Sequence, residues 1–452
     1  MNRWLVPAVV VGALTAVTAA ATLLGPQPVT AAPVSAAASR VSVVCPAFES
    51  ATADLRVAAV SAGTGLRTAP LTAPNQSKEA NGLTVLSGPS RPVRVSALLP
   101  DPFGASTVAV AGAGPDRGYS ISGCGAPRTD HWFTGVDVGA ETQSELVVAN
   151  LDGTAASVDL AVFGEQGRIS ARRGVEVAGN ATETISLGTV PRGSAPVTVH
   201  ALSSDGRVAA FLRQRSFDGD EPRGADWLPA SVDPGTDLVV SGVARGAGVR
   251  RLVVTNPGDR TATVTLGVLT TSGPIELAGS EQVTVPAETT RTVELEAGLD
   301  EQPAALKLTS TQPVTAGMWL SIGSGDPAYT AATTPLPADG IWPLASGKSA
   351  GTVLQLTNPT DAEVTATVSA GDGTKPGTPA EVKVAAGSLA EVELASADAT
   401  AVRIQTSAAG LRGALVSTLR VGNADLLAVL PLVTQEGGGG SAQVRFDPRA
   451  GS

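Results

Sequence analysis

The sequence predicts an all-β protein: tandem immunoglobulin-like antiparallel β-sandwiches after one N-terminal apolar helix. Three observations carry that expectation. Apolar and polar residues alternate with a period of two, as in Val264, Leu266 and Val268 against Thr263, Thr265 and Gly267, which turns one strand face to a core and the other to water. Turn-forming pairs such as Asn256-Pro257, Asn358-Pro359 and Pro286-Ala287 separate the alternating runs. The whole pattern then returns along the chain with a period of about 100 residues. About seven short strands per ~100 residues, with no helical period between them, is the signature of an immunoglobulin-like sandwich.

The repeat is explicit in three segments. ELVVANLDGTAASVDLAVFGEQG begins at Glu145, RLVVTNPGDRTATVTLGVLTTSG at Arg251 and VLQLTNPTDAEVTATVSAGDG at Val353. Apolar character recurs at Leu146, Leu252 and Leu354, at Val148, Val254 and Leu356, and at Leu212, Met318 and Leu415, and these are expected core positions. Asn150, Asn256 and Asn358 coincide at a strand end, where an Asn side chain forms a turn through its own hydrogen bonds. Residues 41–127 do not match the repeat but carry strand-like runs, and are expected to form a fourth all-β unit. The expected organisation is a leader over 1–39, an N-terminal β domain over 40–127, repeats over 128–234, 235–337 and 338–436, and a Gly-rich flexible tail over 437–452.

Composition narrows the function classes. The chain has 452 residues, 31 basic against 41 acidic, and a formal net charge of −10. That balance argues against nucleic acid as a partner, because phosphate neutralisation needs clustered Lys and Arg. Aromatics are only 3%, so the cores must be built from Val, Leu and Ala. The N-terminus places Arg3 before an uncharged run from Trp4 to Leu24. A helix of about 20 apolar residues crosses a bilayer, and the basic flank keeps its N-terminus cytoplasmic. Ala36-Ala37-Ala38 offers cleavage before Ser39, whereas the length of the apolar run suits an uncleaved anchor. Both readings place residues 40–452 outside the cytoplasm, secreted or anchored by residues 4–24.

Cys45 and Cys124 suit that compartment, where two cysteines are expected to pair. The alternative, a reactive thiol, lacks a C-x-x-C motif or a His nearby in sequence. No catalytic motif is complete. Gly118 to Ser122 misses the last Gly of a nucleophile elbow, and Trp342 stands where a P-loop ending at Gly347-Lys348-Ser349 needs a glycine. His131 beside Asp130, and His200, are the only neutral-pH bases, and both read better as solvent-side or strand-end histidines than as a general base. Asp218-Gly219-Asp220-Glu221 reads as a solvated acidic turn without calcium-loop spacing. No cofactor, metal or catalytic residue is expected. Trp132 and Trp342 fall on the first strand of their units and read as core. Trp319 has Arg213 and Val416 as counterparts on the face opposite Met318; an exposed Trp there would stack on a sugar or sit at a domain interface, and the alternative is ordinary edge packing.

The series Cys124-x-x-Pro127, Trp132-Phe133-x-Gly135 and Leu252-x-x-x-Asn256-Pro257 resembles uncharacterised exported proteins of high-GC Gram-positive bacteria, grouped only as a domain of unknown function. The resemblance spans about residues 40–450, and the first copy departs from it with Asn150-Leu151 in place of Asn-Pro. It implies a cell-envelope role and brings no active site. The expected function is an extracytoplasmic, non-enzymatic multi-domain scaffold, spacer or binding protein of the cell envelope. Its expected partners are envelope polysaccharide or other envelope proteins, with the membrane a further partner through an uncleaved leader. The alternative is a carbohydrate-binding surface protein using Trp319.

Overall fold

The alternating Val, Leu and Thr runs become antiparallel strands throughout. The computed structural model describes residues 40–433, except 191–195, 276–281, 296–298, 300–301, 324–325, 345–349, 373–376 and 395–398. The expected leader, the Gly-rich tail and Gly347-Lys348-Ser349 therefore lie outside the described residues. Among the described residues there is no α-helix, only one 3-10 turn at Pro74–Gln76, and no helix long and apolar enough to cross a membrane.

The strands group into four sandwiches of one design. The second is the most regular, with strands Asp130–Val136, Thr142–Ala149, Ala156–Gly164, Gly167–Val177, Thr182–Ser186, Val197–Asp205, Ala209–Asp218 and Glu221–Leu228. One of its sheets has the strand order 1-6-3-4 and the other 5-2-7-8. The first sandwich, from Arg40–Cys45 to Gly118–Gly123, has the same two orders, as does the fourth, from Asp339–Pro343 to Ala424–Pro431. The third, from Gly235–Val243 to Asp326–Ala331, keeps the pairing. Its sixth and seventh strands are one 19-residue strand, Ala304–Ile322, that runs from one sheet into the other.

This order departs from the expected immunoglobulin arrangement, in which strands 1-2-5-4 face 3-6-7. Here the second strand lies between the fifth and the seventh, as Thr142–Ala149 pairs with both Thr182–Ser186 and Ala209–Asp218. Alternation fixes which residues face a core; it does not fix which strand lies beside which. The nine recurring positions expected in the core are all buried. In the second sandwich Leu146, Val148, Val158, Val162, Val199 and Leu212 meet in one cluster between the sheets. Each such side chain contributes about 2 kcal/mol on burial.

The sandwiches dock by one recurring contact. The first strand of the second lies on the second and seventh strands of the third, and the first strand of the third lies likewise on the fourth. The first strand of the fourth lies on the matching strands of the first. A Cβ at Gly104 would fall 2.1 Å from the Ile341 carbonyl oxygen, so only glycine admits that approach. At the remaining junction Val44, on the first strand of the first sandwich, packs with Ala149, Ala209 and Phe211 of the second. The circuit of contacts thus closes. The four eighth strands meet at its centre, each touching its two neighbours in cyclic order, and those of the first and third sandwiches also touch each other.

Candidate functional site

Cys45 and Cys124 form a disulfide across 79 residues of sequence. It ties the first strand of the first sandwich to the residue that follows its eighth strand, and so joins the two sheets. Asn150, Asn256 and Asn358 join the sheets of the other three. Each is fully buried at the end of a second strand. Each Nδ2 donates 3.0 Å to a carbonyl on the fourth strand of the facing sheet, at Val177, Val285 and Val384. Each also closes its turn, donating to the carbonyl four residues on and accepting from the amide two residues on.

The histidines are separated by the fold. His131 is buried, with Nε2 2.8 Å from the Val208 carbonyl, and burial pushes its pKa down to about 4. Asp130 pairs instead with His200, at 3.0 Å. The His200 ring stacks on Trp132 with centroids 3.8 Å apart. Burial lowers the His200 pKa, and Asp130 offsets only part of that. His131 is therefore not on the solvent side as expected, and because sequence neighbours on a strand point to opposite faces, the His131–Asp130 pairing that a general base would use does not form. The same rule divides Trp132 from Phe133. Phe133 enters the second sandwich's core, whereas Trp132 is buried against Phe163 and Ala161 on the outer face. Trp342 enters the core of the fourth. In the acidic turn, Asp218 pairs with Arg223.

Trp319 lies at the junction of the second and third sandwiches. Its ring is half-buried, packs against the core cluster of the second, and carries the Arg251 guanidinium 4.8 Å from its centroid. This geometry is that of a ring at a domain interface.

The junction of the first and second sandwiches differs in chemistry. The position of Trp319 is occupied there by Arg213, paired across from Trp227 as Trp319 is from Tyr329. Arg213 is 4% exposed. Its Nη2 donates 2.6 Å to Asp116 Oδ1, which also accepts 2.9 Å from Arg215 Nε. Arg215 reaches Glu145 at 3.3 Å, and the Arg213 guanidinium lies 3.3 Å from the Phe48 ring centroid. Burial pushes the Arg213 pKa down to about 10, and neighbouring Arg215 adds to that fall. Burial alone would raise Asp116, but Ser50 and the two arginines outweigh it and hold its pKa below the usual value. Beside these groups a cavity of about 410 Å³ is lined by parts of both sandwiches, with Trp227, Arg213 and Arg215 in its wall.

A second polar cluster lies where the eighth strands meet. Asp326 Oδ2 accepts from the amides of Tyr119 at 3.4 Å and Leu427 at 3.3 Å, so one carboxylate holds the first, third and fourth sandwiches. Asp226 accepts from the Trp227 amide at 2.7 Å and from the backbone of Tyr329 and Ile121. Gly118 has φ +139°, and a Cβ there would fall 2.8 Å from the Ala225 carbonyl and 3.1 Å from Asp326 Oδ1. Burial raises the pKa of Asp326 to about 7 and that of Asp226 well above the carboxylate range.

Sequence reading passed over Asp116, Asp226 and Asp326, and met Arg213 only as the counterpart of Trp319. The available signal was a charged residue inside an apolar strand, such as Asp226 in Ala225-Asp226-Trp227-Leu228.

No curated protein matches the chain. Among solved structures it is matched with the crystal structure of trypsin-activated alpha-2-macroglobulin from Escherichia coli, at 10% identity and a TM-score of 0.11. That match takes in 87% of this chain and spans 41% of the other; so low a score carries no structural argument. Residues 102–395 match the family of unknown function DUF5719, and the chain belongs to that family.

Proposed function

We propose that the protein is an extracytoplasmic, non-enzymatic multi-domain scaffold, spacer or binding protein of the cell envelope. The observation that carries the reading is the closed circuit of junctions among four sandwiches of one design. Such a circuit fixes the faces of the sandwiches relative to one another, which suits presentation more than turnover. The buried disulfide supports the location, because disulfides persist in oxidising compartments. Both histidines are spent on structural partners, Val208 and Asp130. In this reading residues 1–39 export the chain or anchor it through 4–24, and the partners are envelope polysaccharide or envelope proteins. The cover over Trp319 does not favour sugar stacking at that ring.

Fractionation of cells expressing the full chain tests this, combined with maleimide labelling before and after reduction. The expected result is protein in the envelope or medium, with both cysteines labelled only after reduction. Intact protein in the cytosol with both thiols reactive would overturn the proposal.

A further inference from the structure

The four junctions place an equivalent seventh-strand residue against the preceding sandwich. At three of them it is apolar and completes that sandwich's core cluster. Val108 does so for the fourth sandwich, Trp319 for the second and Val416 for the third. At the junction of the first and second the residue is Arg213. The second sandwich's face there forms a cluster separate from the core of the first, and the cavity of about 410 Å³ opens beside it. Docking therefore does not require a charged residue at this position, since the other three junctions carry an apolar one there.

We propose that this cavity is a binding site for a small hydroxylated carboxylic acid, the class that includes sugar acids. The wall chemistry selects the class. Three arginines, Arg91, Arg213 and Arg215, face two carboxylates, Glu49 and Glu145. Asp116 holds Arg213 and Arg215 from outside the cavity wall, and Glu145 is already taken up by Arg215. Donors are left in excess, and guanidinium groups recognise carboxylates through paired N–H groups. Trp227, only 3% exposed, supplies part of its aromatic ring to the wall, an apolar face for the C–H groups of a ligand ring. Hydroxyls of Thr72, Ser90, Thr182 and Thr184 lie around the wall and match a ligand that carries hydroxyls of its own. The cavity falls in the size range of small-molecule sites.

The test is isothermal titration of the full chain with D-glucuronate, D-glucose and acetate, which separate the ring from its carboxylate. Glucuronate is expected to bind saturably, and glucose and acetate about tenfold more weakly or worse. Arg91→Ala, at the exposed rim, is expected to weaken glucuronate about fivefold. Trp319→Phe leaves binding unchanged. Absence of saturable glucuronate binding, glucose binding as tight as glucuronate, or wild-type affinity in Arg91→Ala would each overturn the proposal. This inference stands apart from the envelope reading, since it is decided on purified protein.

Discussion

The first sandwich and the three that follow it share a strand order but not the tie between their sheets. In the second, third and fourth, a buried asparagine amide reaches from the end of the second strand to a carbonyl of the facing sheet. In the first, Ser61 ends the second strand, and its Oγ accepts only from the Gly63 amide, at 3.2 Å. The turn is closed there but the facing sheet is not reached. The Cys45–Cys124 bridge makes that connection instead. One topology is held by two chemistries, and each sandwich carries one of them. The first sandwich also differs at its outgoing junction, where Arg213 and Asp116 replace an apolar contact.

The largest test of this comparison removes the covalent tie. Closing a loop of this length stabilises by about 4 kcal/mol in the chain-entropy model. Cys45→Ala/Cys124→Ala is expected to lose about that much in denaturant unfolding, with proteolysis beginning within residues 40–123. An unchanged midpoint would mean that the first sandwich has no need of a cross-sheet tie.

The next effect lies at the polar junction. Asp116→Ala leaves Arg213 buried without its partner, at a cost of about 3 kcal/mol. Asp116→Ala/Arg213→Val restores the apolar residue that the other junctions carry at this position, with Arg215 still able to pair with Glu145, and is expected to recover most of that loss. A double variant as unstable as the single would show that the junction differs from its counterparts in more than this one residue.

The central cluster tests how the other sandwiches hold the first. The folded pKa of Asp326, about 7, lies above its ordinary value of 3.8. The fold therefore favours the protonated acid. Its contribution is complete below about pH 4, declines as the pH rises, and is lost by about pH 7. Between pH 5 and pH 8 the wild type is expected to lose about 3 kcal/mol through this group, and Asp326→Asn to flatten that slope. A variant with the wild-type pH profile would assign the slope to Asp226 or elsewhere.

The sequence made some of this legible. Alternation located the strands, and the recurrence of Asn150, Asn256 and Asn358 identified both the repeat and a structural role for those residues. The first sandwich escaped recognition as another copy because Ser61 stands where the others have Asn, so the most distinctive letter of the repeat is missing. Strand neighbours were not legible, because the same alternation serves either sheet order. The polar junction was hidden for a different reason. Asp116 and Arg213 are 97 residues apart and meet only through docking. Arg213 did stand out as the charged counterpart of Trp319 and Val416, but alignment alone does not say what faces that position.

The smallest effect is also the sharpest test of the two ties. Asn256→Ala removes the donors to the Arg260 and Val285 carbonyls, at 2.7 and 3.0 Å, and the acceptor of the Gly258 amide, at 3.0 Å. Buried backbone groups are orphaned on both sheets, and a loss of about 2 kcal/mol is expected. Ser61→Ala orphans one amide in a turn, where water reaches more easily, and about 0.5 kcal/mol is expected. With the disulfide removed the Ser61 cost should stay small, because that hydroxyl never spanned the sheets. If Ser61→Ala were instead as damaging as Asn256→Ala, the serine would be the first sandwich's true equivalent of the amide, and the disulfide would be an addition to the design instead of a substitute within it.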